Sequence, residues 1–284
     1  MFSVTLSRAG IAMRTLALVV FVLTFAGRSL AQTAPAPTAP KPPAPKPKSA
    51  PAATDATKST ALPSPQSIID RHVKAVGGKA AILAHKSSHA TGTFTMPAQN
   101  LTGTLDIYGA KPDKSLVKIN LGGIGDLMEE FDGTTGWTLE PMSGPRLKEG
   151  QELVEKKFDA DFYSDLHEPG RYASMKTIEK TTFEGKPCYK VSLVRKEGGE
   201  DFEYYDVETG LKAGASGTRQ TAMGPITATQ MLSDYKKFGD LLVPTTMKQT
   251  QMGVDQVLKI TAVEWDNVPD STFDLPAQIK ALIK

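Results

Sequence analysis

The strongest constraint on this chain is a period of two. Thr104-Leu-Asp-Ile-Tyr108 sets Leu105 and Ile107 on one side of an extended backbone. Val117, Ile119 and Leu121 alternate with Lys118 and Asn120, and Tyr189, Val191 and Leu193 alternate with Lys190 and Ser192. Such alternation marks a strand with one buried face. Residues 127–131, 136–139, 201–206, 212–221, 226–235, 242–251 and 256–265 are further strand candidates. Turn chemistry separates them at Lys111-Pro-Asp113, Asp132-Gly133, Glu184-Gly-Lys186, Glu197-Gly-Gly199 and Glu208-Thr-Gly210. About ten or eleven short strands in succession imply one meandering antiparallel sheet.

Helices interrupt this pattern. Ser64 can cap, Pro65 suits the first helical position and Gly77 can terminate, while Ile68, Ile69, Val73 and Val76 share one helical face. Residues 78–84 extend the helical region by a turn. From Glu149 to Asp165 there is no Pro and, after Gly150, no Gly; Leu153, Val154, Phe158 and Phe162 form an expected apolar face, and Glu168-Pro-Gly170 stops the segment. Residues 277–284 form a short amphipathic end. The fold class expected is therefore mainly antiparallel β with α, a large sheet with helices on one face. A sheet that covers a helix must curve, and curvature leaves room for a cavity between the layers.

The first 63 residues have a different composition. Arg8 and Arg14 precede the apolar run from Leu16 to Ala26, and Ser29-Leu-Ala31 offers a small-x-small cleavage site before Gln32. Residues 1–31 are thus expected to be a secretory signal peptide, giving an exported, periplasmic protein. Residues 32–63 are rich in Pro, Ala and Lys with almost nothing to bury, and are expected to be a disordered linker. Residues 64–284 form the folded domain. The whole chain has a formal charge of +2, but its first two segments are basic, so the domain is acidic, at about −4. That balance argues against nucleic-acid binding.

Catalytic signatures are missing: there is no G-x-S-x-G elbow, no phosphate loop, no dinucleotide fingerprint and no H-E-x-x-H. His85 and His89 are four apart, yet Lys86-Ser-Ser88 is a poor helix interior and no third ligand lies nearby, so no metal is expected. Cys188, the single cysteine, sits in a strand without His or Cys near it and reads as a buried, inert thiol. Glu129 and Glu130 point to opposite faces of a strand and read as solvated surface. The methionines of the domain, several of them inside strands, fit an adaptable apolar surface. No catalytic residue and no cofactor is expected.

Several short motifs occur in a telling order: Ala75-Val-Gly-Gly78, Phe131-Asp-Gly-Thr-Thr-Gly-Trp137, Tyr204-Tyr-Asp-Val-Glu-Thr-Gly-Leu211, Asp234-Tyr-Lys-Lys-Phe-Gly239 with Val243-Pro244, Val263-Glu-Trp-Asp-Asn267 and Phe273-Asp-Leu-Pro276. In this order, over residues 65–276, the chain resembles bacterial secreted proteins related to outer-membrane lipoprotein-sorting factors. The resemblance implies the lipoprotein-carrier fold of LolA and LolB: an open, strongly curved antiparallel sheet, an unclosed half-barrel, with helices on its concave face. It also implies a cavity that shields acyl chains of lipids or lipoproteins.

The first functional expectation is a non-enzymatic periplasmic carrier of an apolar ligand, with transient membrane contact and an envelope protein as partner. Its cavity lining would be Leu105, Ile107, Val117, Ile119, Tyr189, Val191 and Leu193, under a helical lid of Val73, Phe158 and Phe162. Its alternative is a structural or sensory module whose cavity is filled by its own helices. A hydrolase is the least favoured reading.

Overall fold

The computed structural model describes residues 61–283. The expected signal peptide and nearly all of the expected linker lie outside the described residues. Helix α1 (Pro65–Val76) begins as its sequence predicts, with the Ser64 hydroxyl accepting from the Ser67 amide at 3.2 Å. Its buried face is Ile68, Ile69, Val73 and Val76 together with His72. Helix α2 (Lys79–Ala84) follows after Gly77 and Gly78.

Thirteen strands form one sheet, against the ten or eleven expected. The first meander is β1 (Ser87–Met96), β2 (Leu101–Ala110), β3 (Lys114–Asn120), β4 (Asp126–Phe131), β5 (Gly136–Glu140) and β6 (Gly144–Leu147). The second is β7 (Tyr172–Phe183), β8 (Lys186–Arg195), β9 (Glu200–Asp206), β10 (Lys212–Thr221), β11 (Gly224–Phe238), β12 (Leu241–Gln251) and β13 (Val254–Trp265). Every neighbouring pair is antiparallel, and the two meanders join where β1 pairs with β13. The sheet is therefore a cyclic meander left open between β6 and β7.

The segment that joins those two edge strands carries α3 (Gly150–Asp159), shorter than the 149–165 helix that the sequence predicts. The last part of that stretch is instead a 3-10 turn, Ser164–Leu166. Lys156 of α3 pairs with Glu129 on β4 at 2.9 Å, and Asp159, one turn later, pairs with Arg219 on β10 at 2.9 Å. Those strands are seven places apart in the sheet. On a flat sheet they would stand about 33 Å apart, and one helical turn advances only about 5.4 Å. The sheet must curl strongly for one turn to reach both, which makes it the unclosed, curved sheet expected.

The seam between the meanders depends on a glycine. A Cβ on Gly92 would lie 2.0 Å from the Lys259 carbonyl oxygen, at the point where the β1–β13 register shifts. Only a residue without a side chain lets the backbones close there. The outer face of the first meander is covered by the chain's own C-terminal segment: Phe273 and Val268 pack on Ala110, Leu116, Tyr108 and Met128. Trp137, on β5, is wholly buried.

Candidate functional site

The site is the face of the sheet that α1 and α3 cover. Two ranks of cross-strand neighbours run over its central strands. Ile260, Gly92, Leu105, Ile119 and Leu127 form one, from β13 to β4. Val263, Ala90, Ile107 and Val117 form the next, and it ends on Glu129. Leu105, Ile107, Val117 and Ile119 are buried here, as partners of one another. On β1 the ranks narrow to Ser88, Ala90 and Gly92, so the surface dips. A pocket of about 30 Å³ lies there, walled by Ile107, Val243, Met247, Ile260, Val263 and Trp265.

Tyr189, Val191 and Leu193 lie toward the other edge, on β8. Val191 and Leu193 pack with Ile68, Ile69 and Val73 of α1, and Tyr189 borders the same cluster. Thus the lining residues expected from sequence form two groups, one on β2 and β3, the other under α1. Leu193 and Phe158 border a second pocket of about 70 Å³. Tyr189 borders a third, of about 160 Å³, beside Pro63 and Arg71.

The lid residues also separate. Val73 belongs to α1. Phe158 is half-buried in the last turn of α3, with the Arg171 guanidinium 4.0 Å from its ring. Phe162 is buried, but lies beyond the helix. Of the apolar face expected for α3, Val154 is exposed instead. The buried residues of this helix are Glu155 and Lys156.

Phe158 packs against the α1 cluster, and the rest of what holds α3 is largely charge. On one flank Arg146 grips Glu152 at 2.7 and 2.8 Å, Lys148 reaches Glu152 at 2.8 Å, and Glu129 receives Lys156. On the other flank the Gln220 amide donates to Glu155 at 2.6 Å, and Arg219 bridges Asp159 and Asp201. Burial alone would raise the Glu129 carboxyl, but Lys148 and Lys156 hold it below the ordinary glutamate value. Glu129 is therefore not the solvated residue expected from sequence.

A second polar knot lies beneath the first. Glu203 on β9 accepts from Lys212 at 3.0 Å and from the Tyr205 hydroxyl, and stands 2.8 Å from His167 Nε2. Burial would raise it, yet His167 and Lys212 keep it well below the ordinary range. Burial, with Lys212 adding to it, lowers His72 to about 3, and its Nδ1 accepts the Lys212 amide at 3.2 Å. The sequence offered no local signal for this knot, because its members come from four separate elements.

The other sequence candidates settle simply. His85 stacks on Trp265 and meets Asp266 through Nδ1, while His89 stacks on Tyr108 and meets Asp106 at 2.8 Å. Among the described residues no cluster could hold a metal ion. Cys188 is buried, and burial raises its thiol. Glu130, also expected at the surface, is buried on the outer face, where burial and Asp132 raise it to about 8.

No family model matches the chain, and no curated protein matches it. Solved structures do. A DUF1329 family protein from Desulfovibrio piger is 15% identical, with a TM-score of 0.53 over 75% of this chain and 98% of that one. A LolA superfamily protein from Nitrosomonas europaea is 12% identical, with a TM-score of 0.51 over 75% and 99%. An outer-membrane lipoprotein-sorting protein domain from Vibrio parahaemolyticus is 14% identical, with a TM-score of 0.50 over 74% and 95%. At such identities the likeness is one of fold. The chain has the LolA-like fold.

Proposed function

We propose that this chain is an exported, non-catalytic binding protein that holds an apolar ligand, an acyl chain of a lipid or lipoprotein, on the covered face of its sheet. The observation that carries this reading is the contrast between the two helices over that face. Helix α1 contributes an apolar stripe, so lifting it would expose hydrocarbon to water. Helix α3 is tied down mainly by ion pairs, whose partners water can solvate once they part. α1 is then a fixed wall and α3 the part that moves. Beneath lie the apolar ranks with their dip at Ser88, Ala90 and Gly92. Burying an acyl chain there is worth about 0.8 kcal/mol per methylene, without any reactive group.

A second reading has its own support. The pockets described hold about 30, 70 and 160 Å³. Each is below the roughly 300 Å³ of an ordinary ligand site. A face filled by its own helices would make this a structural or sensory module of the envelope. Native mass spectrometry of the exported protein, before and after organic extraction, separates the two. A lipid mass lost on extraction supports the carrier; a bare chain that takes up no lipid supports the module.

A further inference from the structure

The turns of this sheet differ at its two ends. In an antiparallel meander successive turns alternate ends, so the β1–β2, β3–β4, β5–β6, β8–β9, β10–β11 and β12–β13 turns all lie at one end. The other turns lie at the opposite end. There, Lys111, Asp113, Asp132, Glu184, Glu208 and Asp240 are charged. The first end has only Lys196 and Glu197 in its turns. Its tips are apolar instead: Ile124 is 48%, Met142 75%, Met223 58% and Met252 71% exposed.

Two turns make the comparison direct. Glu184-Gly185 and Met252-Gly253 are both two-residue hairpins with positive φ at both positions, 48° and 78° in one, 49° and 75° in the other. That geometry favours Asn or Asp at the first position and disfavours methionine. The charged end carries Glu at this place; the apolar end carries Met. Local folding does not ask for methionine there, and exposure of an apolar side chain gains nothing in water.

We propose that the end bearing Ile124, Met142, Met223 and Met252 docks on the interface of a lipid bilayer. The side chains sit on four separate hairpins rather than in one contiguous patch. A protein hot spot needs a packed cluster, usually of aromatics and Arg. A bilayer needs only several flexible apolar tips at one end and few charges to desolvate. With one Lys and one Glu in these turns, the partner is a zwitterionic surface and the attraction does not depend on salt. This docking goes beyond the ligand reading and stands whether or not the covered face holds lipid.

The test is co-sedimentation of the protein, purified as exported, with phosphatidylcholine vesicles. The docking predicts binding that is unchanged between about 0.05 and 0.5 M salt. A Met142→Ser, Met223→Ser, Met252→Asn triple variant should bind roughly tenfold more weakly. Its thermal unfolding should not fall, since the tips are exposed and Asn suits the Met252 backbone. The Met142→Ser and Met223→Ser single variants should each weaken binding if the triple variant is poorly folded. Glu184→Asn, in the matching turn at the opposite end, should leave binding unaltered. Failure of the parent protein to bind, undiminished binding by the triple variant, or binding abolished by salt would each overturn the proposal. So would self-association of the parent protein that the triple variant loses while neither touches vesicles, since the tips would then join copies of the chain. Fatty-acid uptake by the triple variant should equal that of the parent, which keeps this test apart from that of the ligand reading.

Discussion

Lys156 Nζ lies 2.9 Å from Glu129 Oε1, and both side chains are buried at the point where α3 crosses β4. Lys148 stands 3.8 Å from the other oxygen of the same carboxylate. One acid thus answers two lysines at the place where the apolar ranks of the sheet end. Replacing Glu129 with Ala takes the carboxylate from the buried Lys156 ammonium, while Lys148 keeps Glu152 at 2.8 Å, and should cost about 3–5 kcal/mol. Urea unfolding at neutral pH measures it. A loss below about 1 kcal/mol would mean that water already reaches this contact.

The same carboxylate sets an acid limit. Glu129 and Glu203 are both held below their ordinary value of 4.5 by buried cations. A carboxyl whose folded value is depressed adds stability that is complete above its unfolded value and is lost as pH falls through the folded one. The protein should therefore lose stability steadily below about pH 4.5, and Glu129→Gln should flatten part of that slope. Melting temperatures from pH 6 downward, for both proteins, are the measurement (about pH 3 is the useful lower end).

Glu130 works in the opposite sense. Burial raises it to about 8 in the folded chain. Its stabilising effect is complete below its unfolded value and is lost as pH rises toward 8. Glu130→Gln should match the parent near pH 4 and be the more stable of the two near pH 8, because Gln has no proton to lose. Equal stability at both ends of the range would show that this carboxyl reaches water.

Gly92 tests the seam. Gly92→Ala places a methyl against the Lys259 carbonyl, where β1 and β13 join the meanders. The clash is with backbone, so the cost should be about 1–3 kcal/mol, with loss of amide protection on both strands. Gly123→Ala, where a Cβ would meet nothing within 4 Å, is the matched control.

The parts of this fold legible in the sequence are those where burial repeats locally. β2, β3 and β8 carry alternating apolar residues at Leu105/Ile107, Val117/Ile119 and Val191/Leu193, and α1 carries its cap, its proline and its stripe within 13 residues. β7 is not legible in the sequence because it is an edge strand: most of Ala173 to Thr182 is exposed, and Ser, Lys and Thr fill positions that a buried face would give to Val or Ile. β1 does not show as alternation, because its covered face is built of Ser88, Ala90 and Gly92, the small residues that make the dip. The buried face of α3 is hidden from the sequence for a third reason. Glu155 and Lys156 find their partners on β10 and β4, 65 and 27 positions away, so no window along the chain contains the pattern. From sequence the methionines fit one adaptable apolar surface. Met247 does line the apolar pocket, but Met142, Met223 and Met252 stand at turn tips.

The central claim is that an apolar chain lies over the dip on β1, on the face of the sheet that the helices cover. Titration of the protein with a fluorescent fatty acid, beside an Ala90→Leu variant, tests it most directly. Ala90 lines the small apolar pocket and sits between Val263 and Ile107, so leucine there fills the dip with hydrocarbon and adds no charge. The account predicts saturable uptake by the parent and at least about tenfold weaker uptake by the variant, with its melting temperature preserved. No uptake by the parent, or equal uptake by the two, would contradict it.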